Sequence, residues 1–176
     1  MNERADSPSA SDSSGVRWEQ LARADVAPEP QAEGEDTLRE FIACALAGDP
    51  YAIPVELVRE IVRIRAVTPM PRTPGWLVGV ISLRGEVVQV VDLRMRLGLD
   101  PSPPTRASRI IVLHGEDDGI TGVLVDGVRA VLRVSPSDIV PSTATDLRAV
   151  REICRNGDEF VSIIEIDAAL EAHADL

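Results

Sequence analysis

The apolar residues of this chain come in short runs, and each run is closed by turn chemistry. "LVGVISLRG", "EVVQVVDLR", "SRIIVLHG" and "ITGVLVDGVRAVLRV" are rich in Val, Ile and Leu and are broken by Gly, Asp or Arg-Gly. Runs of this length are strands, and the helical stretches between them are too short for βαβ crossovers. The spacing predicts a mainly β fold of nine or ten strands. The runs are close to continuously apolar, which is how strands read when both faces of a sheet are covered. Two small barrels packed on each other would cover both faces.

Other punctuation fills in the map. "REFIACALAG" stops at Gly48-Asp49-Pro50, and "YAIP" follows. Pro54 suits the first turn of a short helix that passes into a strand near Glu60. Pro69, Pro71 and Pro74 force an extended linker, because residues before Pro avoid the α region. "LRMRLGL" reads as one or two helical turns stopped at Gly98, and residues 100–107 and 135–143 read as loops. Asn156-Gly157-Asp158 marks a hairpin. "DAALEAHADL" reads as a terminal helix with Asp167 near its start, suited to the helix dipole. Arg84-Gly85 is the odd junction: it divides two apolar strands where Asn-Gly or Asp-Gly would tolerate positive φ better.

Composition separates the N-terminus from the rest. Residues 1–37 hold many Ser, Ala, Pro and acidic residues, three arginines (Arg4, Arg17, Arg23) and few large apolar side chains. This segment is expected to be a disordered acidic tail, and residues 38–176 a globular domain. Within the tail, "VRWEQLARA" could align Trp18, Leu21 and Ala22, and reads as a stray helical turn. Aromatics are 3% of the chain, so the core must be aliphatic.

Net charge is −11, which argues against a nucleic-acid or anionic-membrane surface. No run approaches ~18 apolar residues, and no secretory h-region opens the chain. The expected location is the cytoplasm, without direct membrane insertion. Cys44 and Cys154 both lie in apolar runs, outside any CxxC pattern, and read as free buried thiols.

A search for catalytic chemistry finds little. His114 and His173 have no partners at metal-ligand spacing. Asp117-Asp118 reads as a polar hairpin tip, and the chain has no phosphate-binding loop. Asp92 and Asp126 read as turn caps or arginine partners. No cofactor is expected. A rigid, non-enzymatic β module with apolar surfaces and a few placed charges fits protein recognition.

Several elements occur together in a recognisable order: "YAIPVELVREI", "TPMPRTPGWLVGVISLRGEVVQVVDLR", "SRIIVL", "TGVLVDGVRAVLRV" and "DEFVSIIEIDAAL". Over residues 39–172 the chain resembles the CheW-like family of chemotaxis coupling proteins. The resemblance implies two five-stranded SH3-like β-barrels packed around a shared apolar core, with short helices. It also implies an adaptor that joins the cytoplasmic tip of chemoreceptors to the regulatory domain of the histidine kinase CheA, in arrays on the inner face of the membrane. By position, Val55, Val58, Glu60, Gly79 and Arg84 would face the receptor. Ile110 and Val128 would line the groove between the barrels or the adjacent kinase contact. Ser82 and Glu86 depart from the family pattern, as do the glycine-poor approach to the last hairpin and the acidic tail. These departures bear on partner choice more than on fold. They leave open an accessory protein that binds receptors without kinase coupling, in a pathway other than swimming.

Overall fold

The computed structural model describes residues 37–115, 119–143 and 149–171. The acidic tail, the 16–24 segment, Asp117-Asp118 and His173 lie outside the described residues.

Eleven strands occur among the described residues: β1 (Arg39–Leu46), β2 (Asp49–Pro54), β3 (Val58–Arg63), β4 (Leu77–Leu83), β5 (Glu86–Asp92), β6 (Arg109–His114), β7 (Ile120–Val125), β8 (Gly127–Val134), β9 (Ile139–Pro141), β10 (Val150–Asn156) and β11 (Glu159–Ile164). Among the described residues, helix is confined to α1 (Leu93–Arg96), α2 (Ile166–Glu171) and two 3-10 turns, Val55–Leu57 and Pro136–Asp138. One sheet runs β8-β1-β2-β11-β10-β9 and the other β3-β6-β7-β5-β4.

The fold is therefore mainly β with two sheets, one of six strands and one of five where two fives were expected. The extra strand is β9, inside the segment read as a loop. Ser135 caps the 3-10 turn through Ser137 N, and Ile139 then pairs with Cys154 on β10. Pro141 ends this edge strand, a position that tolerates a missing N–H. Neither sheet closes into a continuous hydrogen-bonded barrel. The five-stranded sheet is bridged between its edges at one point, where the chain running on from β3 reaches β4. Thr68 and Val80 exchange both backbone hydrogen bonds there, each at 2.9 Å.

Burial on both sheet faces explains the continuous apolar runs. Side chains alternate across a strand. In β6, Ile111 and Leu113 enter one core while Ile110 and Val112 enter another. The first core is shared between the sheets. It joins Ile42, Cys44 and Ile53 to Leu93, Ile111, Val123 and Ile164. The second fills the five-stranded sheet around Ile81, Leu83, Val88 and Val90. The third fills the six-stranded sheet around Phe41, Val134, Cys154 and Val161. Both cysteines are free and buried.

Candidate partner-binding surface

The Arg84-Gly85 junction is a two-residue hairpin tip. Leu83 and Glu86 pair across it, and Arg84 (φ 51°) and Gly85 (φ 88°) both take positive φ. This is the backbone of a type I′ turn, which matches the twist of the flanking strands. The arginine accepts a conformation that costs on the order of 1 kcal/mol for a residue with a Cβ. Its side chain lies on the surface, 74% exposed, and its Nη2 donates to Glu60 Oε2 at 3.2 Å.

A second ion pair lies beside the first: Arg59 Nη2 to Glu86 Oε2, at 2.7 Å. Consecutive strand residues ordinarily point to opposite faces. Here a bulge shifts the β3–β6 register between Val58 and Glu60, so that Val58 pairs with Leu113 and Glu60 with Val112. Bulges re-aim side chains, and this one lets Arg59 and Glu60 both reach the β4–β5 tip. Arg65 Nη1 extends the same seam, donating to the Ser82 carbonyl at 3.3 Å. The exposed aliphatics Val87 and Ile61 lie on the strands that carry these pairs. The family resemblance pointed to Glu60 and Arg84 but not to Arg59, Ile61 and Val87. The bulge that re-aims Arg59 leaves no mark in a single sequence.

The other expected residues divide. Val55 opens the 3-10 turn and Val58 opens β3. Both are half-buried against the shared core with part of their surface free. Val128 is half-buried near the start of β8 and packs on the same core. Gly79 is buried with φ 145°, and a Cβ there would lie 2.2 Å from the Thr68 carbonyl oxygen. It permits the bridge between sheet edges and presents no side chain to a partner. Ile110 has no exposed surface and belongs to the second core. Its place on β6, paired with Val62 of β3 on one side and Leu124 of β7 on the other, corrects the expectation that it lines a groove.

Asp92 and Asp126 hold the frame. Asp92 Oδ1 accepts from the N–H of Arg94 at 2.9 Å and of Met95, capping α1. Burial raises its pKa, and the two backbone bonds and the Arg94 charge oppose that rise. Arg94 grips Asp126 with Nε on Oδ1 at 2.7 Å and Nη2 on Oδ2, a fork that favours the charged arginine. Asp126 Oδ2 also accepts from Ala47 N in the β1–β2 turn at 2.8 Å. One carboxylate thus ties the helix after β5, the β7–β8 crossover and a turn of the other sheet. Among the described residues, no three His, Cys, Asp or Glu side chains converge as a metal site would require.

The CheW-like domain family matches residues 40–174, from the first strand past the last helix. The chain belongs to that family. It is 31% identical over 144 residues to a chemotaxis protein CheW of Helicobacter pylori, covering 80% of this chain and 86% of the relative. It is 33% identical over 134 residues to a CheW of Rhizobium meliloti, covering 74% and 86%. The crystal structure of the scaffolding protein TtCheW from Thermoanaerobacter tengcongensis superposes with a TM-score of 0.67 at 28% identity, covering 72% of this chain and 88% of that one. The SH3-like reading of the two sheets is consistent with that neighbour.

Proposed function

We propose that this CheW-like chemotaxis adaptor couples the cytoplasmic tips of chemoreceptors to the regulatory domain of CheA, and does so without catalysis. The observation that carries the reading is the paired tip of β4–β5. Arg84 and Glu86 of the hairpin pair with Glu60 and Arg59 on β3, the strand that half-buried Val58 opens just after Val55. A helical hairpin laid on such a surface finds aliphatic contacts with charges at their rim. Val55, Val58, Glu60, Arg84 and Val128 are the residues we assign to partner contact. Gly79 shapes the backbone beneath them.

None of the described helices is long and apolar enough to cross a membrane. We place the protein at receptor arrays on the inner membrane face, held there by its partners. Co-sedimentation with receptor-bearing membranes and CheA tests the reading. The expected result is a ternary pellet in which kinase activity depends on the adaptor. Receptor binding with no recruitment of CheA would instead identify an accessory protein.

A further inference from the structure

The chain carries 29 acidic and 18 basic residues, yet four arginines gather on β3, on β6 and in the segments beside them. Arg63 on β3 and Arg109 on β6 are direct cross-strand partners. Like charges placed so are destabilising. Arg109 Nη1 is pinned by the carbonyls of Arg106, Ala107 and Ser108 at 2.8–2.9 Å, which fixes its charge at the turn before β6. Arg106 in that turn and Arg65 just after β3 are exposed. Among the described residues none of these four arginines forms an ion pair with a carboxylate. Charge on β3 is expected, because β3 is a sheet edge and charge deters edge pairing. Edge protection is met equally well by mixed signs and does not account for a like-charged cross-strand pair in an acidic protein.

We propose that Arg63, Arg65, Arg106 and Arg109 form a docking surface for an acidic face of the receptor's helical tip. The inference rests on the receptor reading above and adds the chemistry that selects the partner. Continuity supports it. The same strand carries Val58 and Glu60 of the proposed contact, and Ile61, paired with Ile111 two register steps from Arg63, is 38% exposed and offers an aliphatic anchor. The net charge of −11 repels extended polyanions, so a compact acidic helix face suits the patch better than nucleic acid or an anionic bilayer.

The test is a titration of the full chain and of its Arg63→Glu/Arg106→Glu variant against a soluble receptor cytoplasmic fragment, and separately against the CheA regulatory domain, across ionic strength. The variant is expected to lose about tenfold in receptor affinity, with a slower association rate and a flatter salt dependence. Its kinase-domain affinity should be unchanged. If the reversal unfolds the chain by circular dichroism, Arg63→Gln/Arg106→Gln replaces it, with a smaller loss of the same sign. Unchanged receptor affinity and salt dependence overturn the proposal, and so does a loss confined to the kinase titration. Failure of the unmodified chain to bind the receptor fragment would overturn the receptor reading itself.

Discussion

Arg84 shows how a single residue can mislead and then explain itself. A cation between two apolar strands reads as an intrusion until the backbone is seen to turn there at positive φ, with the side chain out in solvent against Glu60. Arg84→Glu should therefore leave the domain folded, changing stability by less than about 1 kcal/mol because the pair is exposed. Receptor-dependent kinase activation should fall sharply, since the variant sets a carboxylate beside Glu60. An unfolded variant, seen by circular dichroism, would make Arg84 structural and overturn its assigned role. Gly79 is the opposite case. Any Cβ meets the Thr68 carbonyl at 2.2 Å, and the φ is strained for other residues. Gly79→Ala should cost about 3 kcal/mol, read as a shift of the denaturant midpoint. Cys44 is sealed in the shared core, and burial pushes its thiol up to about 12. Alkylating reagents at pH 8 should leave it unmodified, by mass spectrometry, until the chain unfolds. Burial of both cysteines was legible from their apolar neighbours. The burial of Ile110 was not, because β6 is apolar on both faces and its runs do not say which face meets a partner.

Turns and caps were the most legible elements, because their chemistry is local. The hairpin at Asn156-Gly157, the stop at Gly98 and the extended proline linker all sit where Gly and Pro require them. The β3 bulge and strand β9 were hidden, since both depend on which strand lies alongside. The helix after β5 lends itself to measurement. Burial raises the Asp92 pKa in the fold above its value in the unfolded chain. The folded state thus holds that proton more tightly, and the resulting stability is full at low pH and is lost as pH rises through the raised value. Asp92→Asn keeps an acceptor at the N-cap and should be near neutral at pH 7, while the wild type gains on it as pH falls. Asp92→Ala should cost about 1 kcal/mol throughout, by thermal denaturation. Arg94→Gln removes the fork on Asp126 and should cost about 2–3 kcal/mol.

The two sheets share one core, so they should unfold together. Leu113→Ala opens a cavity in that core and should cost about 3 kcal/mol. Circular dichroism and tryptophan fluorescence should still report one coincident transition. Two separated transitions would show that the sheets are independent folding units. The sequence by itself determined the mainly β class, the aliphatic core, most of the turns and the family, because periodicity, Gly and Pro chemistry and motif order are all local properties. Only the tertiary structure decided which apolar face enters which core. It alone showed that a bulge brings Arg59 beside Glu60 at the β4–β5 tip, and that Asp126 ties one sheet to the other. Those outcomes depend on pairing between residues far apart in the chain. Pairing is settled by the joint burial of both sheet faces, which no single run of residues encodes.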